Sequence, residues 1–448
     1  MAQVHPFRAY RYNPAKADFA RVLTQPYDKI TPSMQYKYYA ADAHNLIAIE
    51  KGREFPADSA ADNVYTRAAA SLREWMAQNV LVQDPAPAFY AYFQEYSVPG
   101  TEEKRTRTGF IGLGTLEDYE ARVILPHERT HAGPKADRLR LLHHTKANTG
   151  QLFMLYADPQ RRIDTILQET AAAAPPVMEV RDEYGVAHRL WPISDPAVIA
   201  HIQREMAQQK LVIADGHHRY ETAINYRNER RAQTSSFSPD APYERTMMTF
   251  FNTHSAGLTI LPTHRIVSNL PRFSWENFRR SVSSSFQIEE LPYVTDTERV
   301  AARARLLQRL RESGARRALG LSAGAATSAR AYFLLTLGDA ADLSNLLAGD
   351  STLQRELDVV LLHNFIFEKV LGITPQAVSA EAHIAYEREA AAALDAVDRG
   401  AAQLAFLLNP VAVEQVMRMA LAGEVMPQKS TDFYPKLLSG VTIYRFEP

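Results

Sequence analysis

The chain has 448 residues, enough for two or three domains with sizeable cores. Its 50 basic and 51 acidic residues nearly cancel, which argues against a nucleic-acid partner or an anionic membrane surface. There is no cysteine, so disulfides, thiolate nucleophiles and thiolate metal sites are excluded, as suits a reducing cytoplasm. Met1 to Tyr12 lacks an apolar signal region, and no run approaches the roughly 18 to 20 apolar residues of a membrane span. A cytoplasmic location is expected.

Val4 to Tyr12 reads as an opening strand and Pro26-Tyr27-Asp28-Lys29-Ile30 as a turn. Thr31-Pro32-Ser33 places a hydroxyl cap before a proline at the first helical position, a helix start. Ala60 to Asn79 carries Val64, Ala68, Leu72, Trp75 and Met76 at helical spacing. Phe89 to Phe93 and Thr108 to Leu113 read as strands. These elements form an expected N-terminal α/β region over residues 1–115.

From Leu116 to Ala223 strand and helix patterns alternate, as in a mixed α/β catalytic unit, and a catalytic core is expected over residues 116–260. Here His127-Glu128-Arg129-Thr130-His131 matches the HExxH zinc-protease pattern, which needs two histidines one helical turn apart. The motif follows an apparent strand, and Gly133-Pro134 interrupts any helix just beyond it, so zinc chemistry is not expected. The basic stretch from Lys135 to Lys146 shares its pattern with Leu139, Leu141 and Leu142, a helix face with Lys146 near its end. Leu152 to Tyr156 reads as a strand and Asp195 to Gln208 as a helix.

The most informative stretch is Leu211-Val212-Ile213-Ala214-Asp215-Gly216-His217-His218-Arg219-Tyr220-Glu221-Thr222-Ala223-Ile224. An apolar strand turns at Asp215-Gly216 and enters a helix with Tyr220, Ala223 and Ile224 on one face. A helix start leaves backbone N–H groups unpaired and so attracts anions, phosphate above all. Arg219 falls in the first turn, where its forked guanidinium is placed to grip the same anion.

The remaining residues, 261–448, are expected to form a C-terminal α/β domain. Strands are expected at Ala331 to Leu337 and Gln403 to Leu408, and helices at Phe273 to Phe286, Thr297 to Ser313, Leu353 to Leu371 and Val411 to Leu421. An alanine-rich helix is expected within Ile384 to Gly400. His264 and Arg265 lie in a basic turn after the strand Leu258 to Leu261. Lys429-Ser430-Thr431 lacks the upstream glycines of a nucleotide P-loop, but a lysine and two hydroxyls between Pro427 and Pro435 suit an anion.

The Ile213-to-Ala223 segment resembles the signature of the DUF1015 family. Pro26-Tyr27-Asp28, Pro126-His127-Glu128 and Lys429-Ser430-Thr431-Asp432-Phe433-Tyr434-Pro435-Lys436 resemble further segments of it, in the expected order. Gly216-x-x-Arg219-x-x-x-Ala223 is also similar to the phosphate-binding box of the ParB/sulfiredoxin superfamily, whose free serine kinases pair a Pro-His-Glu with an Asp-Gly-His-His-Arg segment. The resemblance implies a mixed α/β fold: a ParB/sulfiredoxin-like core with added N- and C-terminal α/β regions. It implies a small-molecule kinase that phosphorylates free L-serine from pyrophosphate or a nucleotide, an insertion separating its two motifs. A nucleotide-binding switch without turnover is the alternative.

In that scheme Gly216, His217 and Arg219 hold the donor phosphates, with Lys429, Ser430 and Thr431 as further contacts. Glu128 is the general base, His218 donates hydrogen bonds to the phosphates, and Asp215 holds a magnesium ion or orients a histidine. Substrate contacts are expected from His127, Lys146, His264 and Arg265.

Overall fold

The computed structural model describes residues 1–128, 133–271, 273–314, 316–324, 327, 330–339 and 341–446. Strands Phe89–Ser97, Lys104–Thr115, Leu152–Tyr156, Leu211–Asp215 and Arg245–Asn252 are buried at nearly every position, so both of their faces are covered. They form the middle of a nine-stranded mixed sheet. Its order is Ile124–Pro126, Leu211–Asp215, Leu152–Tyr156, Arg245–Asn252, Lys104–Thr115, Phe89–Ser97, Ala187–Ile193, Met178–Arg181, and Val4–His5 also pairs with Lys104–Thr115. Leu211–Asp215 runs parallel to Ile124–Pro126 and antiparallel to Leu152–Tyr156. On one face, Phe89, Phe110, Met154, Ile213 and Phe250 pack with Ile163 and Leu167 of helix Arg162–Ala173 and with Ile202 and Met206 of helix Pro196–Met206.

The chain divides into two compact units. The first takes residues up to Pro126, the stretch ending at Thr259, and the segment from Phe433 onward. The second takes His127, Glu128 and Ile260–Asp432. A line falls between Thr259 and Ile260, within one residue of the expected start of the C-terminal domain at 261, but the stretch from Phe433 onward belongs to the first unit. No boundary falls at 115, because Gly109 to Thr115 of strand Lys104–Thr115 pairs with strand Arg245–Asn252, with Thr115 opposite Arg245. The last segment returns to the first unit: Tyr444–Arg445 pairs with Ala147–Asn148, and the Phe433 ring lies 5.2 Å from that of Phe153. The opening strand is two short ones, since Tyr10–Tyr12 leaves the large sheet to pair with Leu81–Gln83.

The second unit is built on a six-stranded antiparallel sheet. Its order is Phe286–Pro292, Ala331–Leu337, Ala318–Ser322, Leu404–Leu407, His264–Val267, Ile384–Glu387. Leu306 and Leu310 of helix Asp296–Glu312, with Ala393, Leu394 and Val397 of helix Ala390–Asp398, fill its core. The expected helix over 353–371 is a one-turn 3-10 segment followed by an α turn and the π-helix Leu361–Val370. The alanine-rich helix is preceded by strand Ile384–Glu387. Among the described residues, no helix is long and apolar enough to cross a membrane.

Candidate functional site

Strand Leu211–Asp215 ends as the sequence pattern predicts, and the chain turns at Gly216 with φ +97°. A Cβ at Gly216 would stand 2.8 Å from Leu152 Cδ2 and 3.2 Å from Arg219 Cζ, in a backbone region that L-residues rarely occupy. Glycine is therefore required. Helix His217–Gln233 follows; its Tyr220 N–H donates to the Gly216 carbonyl at 2.9 Å, and no side chain caps the start. The positive end of the helix dipole thus meets the surface at His217, His218 and Arg219, all half-buried. Tyr220 fixes the helix against the sheet unit, its hydroxyl donating to the Glu117 carbonyl at 2.6 Å.

Asp215 closes the strand under two cations. Lys436 Nζ donates to Asp215 Oδ2 at 2.7 Å, and Arg219 Nη2 lies 3.8 Å from Oδ1. Burial works to raise this carboxyl, but the charges of Lys436 and Arg219, with Lys29 behind them, override it and hold Asp215 well below the ordinary carboxylate range. Arg219 also donates through Nη1 to the Gln151 carbonyl. The charges of Lys436, Arg219 and Lys29 all act on Asp215 at this corner and, with the helix dipole, suit an anion.

The expected magnesium role of Asp215 does not fit this arrangement. Its Oδ2 already carries an ammonium, and its Oδ1 faces the Arg219 guanidinium at 3.8 Å. Asp215 is instead the counter-ion that fixes Lys436 and faces Arg219.

Lys436 was not singled out from sequence, and its placement depends on a buried network. Gln94 Nε2 donates to the Lys436 carbonyl at 2.9 Å, while Gln94 Oε1 accepts from Arg107 Nε at 3.1 Å. Arg107 also donates to the carbonyls of Tyr434, at 3.2 Å, and Pro435. Its guanidinium lies over the rings of both Phe153 and Phe251, 4.5 and 4.7 Å from their centroids. Complete burial pushes it down to about 10, still charged at neutral pH.

Along the flank of the helix start is a cavity walled by Tyr27, Glu50, Arg138, Thr149, Arg219 and Thr222. Arg138 lies 4.3 Å over the Tyr27 ring and donates to the Glu50 carbonyl at 2.7 Å. Thr149 Oγ1 donates to Glu50 Oε2 at 2.5 Å. Two guanidiniums and a buried carboxylate thus share one small space. In the sequence this place is marked by the Pro26-Tyr27-Asp28 motif, by Arg138 within the basic stretch and by Arg219.

In the second unit the structure brings His127, Glu128 and Lys429–Thr431 together. Glu128 Oε1 accepts from the Thr431 N–H at 2.9 Å and the Thr431 hydroxyl at 2.8 Å, and Oε2 accepts from the Lys429 N–H at 3.2 Å. His127 Nε2 lies 2.7 Å from Thr431 Oγ1, and the Ser430 hydroxyl donates to the Pro427 carbonyl at 2.5 Å. The Lys429-Ser430-Thr431 turn, expected to contact donor phosphates, directs backbone and hydroxyl donors at the Glu128 carboxylate instead. It is an anion-binding turn whose anion is supplied by the chain.

The three other expected substrate contacts, His264, Lys146 and Arg265, have different surroundings. His264 is buried, its Nδ1 accepting the Leu408 N–H at 3.3 Å, and burial lowers its ring to about 4; it is a neutral core histidine. Lys146 follows helix Gly133–Thr145 and lines a cavity with Arg73, Met76 and Arg445, apart from the Gly216 corner. Arg265 is buried in strand His264–Val267 and donates to the Lys429 carbonyl at 2.9 Å. Arg129, Thr130 and His131, the second half of the HExxH match, lie outside the described residues.

The protein is thus a mixed α/β chain with a cationic strand–turn–helix corner. The family described as "Protein of unknown function (DUF1015)" matches over residues 4–360. The chain belongs to the DUF1015 family. No curated protein sequence matches it. Among solved structures it is similar to a free serine kinase variant in complex with ADP, at 12% identity and TM-score 0.34, covering 69% of this chain and 84% of that one. It is similar to a conserved hypothetical protein from Pyrococcus furiosus at 10% identity and TM-score 0.32, covering 69% and 87%. C-terminally truncated SbnI from Staphylococcus aureus gives 9% identity and TM-score 0.34, covering 73% and 85%.

Proposed function

We propose that the protein is a small-molecule kinase that transfers a phosphoryl group, from pyrophosphate or a nucleotide, to the hydroxyl of free L-serine. The observation that supports this most is the uncapped helix start at Gly216, held beside Arg219 and Lys436, both of which face Asp215. Phosphoryl transfer asks a protein mainly for positioning and charge neutralisation, and this corner offers both. His217, His218 and Arg219 receive the donor phosphates there. The cavity beside Arg219, with Arg138 for a carboxylate and Glu50 for an ammonium, suits a small zwitterion. Glu128 is given the general-base role by the Pro126-His127-Glu128 resemblance, and its hydrogen bonds to Thr431 and Lys429 hold the carboxylate in one orientation. Magnesium, where the donor needs it, would travel on the donor's phosphates, since Asp215 is engaged by Lys436.

The test is a screen of purified protein with pyrophosphate, ADP or ATP against L-serine and other hydroxylated amino acids, following O-phosphoserine. Donor affinity is measured beside turnover, and Arg219→Ala should weaken it about tenfold or more. Donor binding without turnover of any acceptor would support a nucleotide-binding switch instead. Unchanged affinity in Arg219→Ala would reject the phosphate assignment.

A further inference from the structure

The second unit contains a buried cation that the reading above does not use. Arg265 is 1% exposed. Its Nη1 and Nη2 donate to the carbonyls of Thr263 and Lys429, and its Nε has no hydrogen-bond partner. Tyr386 stacks 5.4 Å away. Among the described residues no carboxylate pairs with this guanidinium; it feels the charge of Glu128 without an ion pair. A buried guanidinium satisfied only by neutral carbonyls, with its Nε unpartnered, is a costly arrangement unless an acceptor completes it.

Arg265 lines a cavity with Arg317, Asn409, Gln415, Ser430 and Asp358. Arg317, half-buried, donates through Nε to the Arg355 carbonyl at 2.8 Å. Glu356, on the same wall, is engaged by Arg418 at 3.1 Å. Burial pushes the Asp358 carboxyl up to about 7, so it offsets the two guanidiniums only in part near neutral pH. The Asn409 amide is turned away, donating to the Leu310 carbonyl at 2.8 Å, and Gln415 Oε1 accepts the Ala412 N–H at 3.0 Å. The cavity therefore sets two guanidiniums against Asp358, with Glu356 already engaged by Arg418.

We infer that this cavity binds a small oxyanion, a carboxylate or a phosphate group, which accepts from Arg265 Nε and pairs with Arg317. The site lies wholly within the second unit and does not depend on the phosphoryl-transfer reading. A planar carboxylate matches a guanidinium in two-point fashion and a tetrahedral phosphate does so nearly as well, so the shared chemistry is the anionic oxygen pair.

The experiment is hydrogen–deuterium exchange on the full chain, with inorganic phosphate and acetate added separately at millimolar concentration and chloride at matched ionic strength as control. Segments 354–359, 408–415 and 427–431 should exchange more slowly with one or both probes. Protection by acetate alone identifies a carboxylate site and by phosphate alone a phosphate site. Because Arg265→Ala removes a buried side chain and risks the fold, the working variant is Arg317→Gln, which should weaken the protecting affinity about tenfold. Arg219→Ala should leave it unchanged, which separates this site from the Gly216 corner. No protection by either probe, full protection in Arg317→Gln, or loss of protection in Arg219→Ala would overturn the assignment.

Discussion

Lys436 and Asp215 are 221 residues apart in the chain and 2.7 Å apart in the fold, ammonium on carboxylate. The contact converts a strand-end aspartate, which alone would oppose an incoming phosphate, into a neutralised anchor. It leaves Arg219 and the helix dipole as the exposed electrostatic character of the corner.

Lys436→Met should lower stability by about 1–3 kcal/mol at neutral pH, because it leaves a half-buried carboxylate without its hydrogen-bonded ammonium. The sign with pH follows from the depressed Asp215 carboxyl. A depressed group stabilises the fold above its unfolded-state value of about 3.9, and that contribution is lost as pH falls through the lower folded value. Urea denaturation of both proteins should therefore show a gap that is full at neutral pH and narrows below about pH 4. A gap of constant size down to acid pH would mean that Lys436 acts by packing alone.

Arg107→Leu should lower stability by about 2–4 kcal/mol, since it strips the donors from Gln94 Oε1 and from the carbonyls of Tyr434 and Pro435. Because those carbonyls carry the backbone that presents Lys436, donor affinity should fall as well, although Arg107 touches no ligand. Calorimetric melting and donor titration check the two effects separately. A stability loss with unchanged donor affinity would make Arg107 a core residue and nothing more.

Glu128→Gln should reduce turnover by about two to four orders of magnitude while donor affinity stays within a few-fold of wild type. Thr431→Val removes one hydroxyl that holds the carboxylate and should lower turnover less, with no change in donor binding. Single-turnover kinetics with pre-bound donor distinguishes these outcomes. Full activity in Glu128→Gln would remove it from the mechanism.

Much of the first unit was legible because its signals are local. Leu211 to Ile213 reads as a strand since central strands of a covered sheet are apolar on both faces, and Asp-Gly marks the turn that follows. Thr31 does cap its helix, accepting from the Met34 N–H at 3.2 Å with Pro32 at the start. Ala187–Ile193 went unread because His188, Arg189 and Pro192 interrupt any alternation, though His188 is buried against Tyr92 and Asp182. Ala318–Ser322 is five residues of small and apolar character, too short to separate from a loop. The Lys436–Asp215 pair, the Arg107 network and the clasp of Thr431 on Glu128 join residues hundreds of positions apart, and no periodicity records such a meeting. The same reason misassigned Lys429 to Thr431: their composition fits an anion, but which anion is a matter of tertiary proximity.

The order in which the first unit's pieces leave the ribosome bears on its assembly. The segment that supplies Phe433, Lys436 and the short strand Tyr444–Arg445 is translated only after all of Ile260–Asp432. Domains tend to fold as they emerge, from the N-terminal side. The nascent first unit must therefore wait, with Asp215 lacking its ammonium and Arg107 its carbonyls, while a separate six-stranded sheet is synthesised. Competence at the Gly216 corner becomes a late event in biogenesis, attained when the returning tail docks.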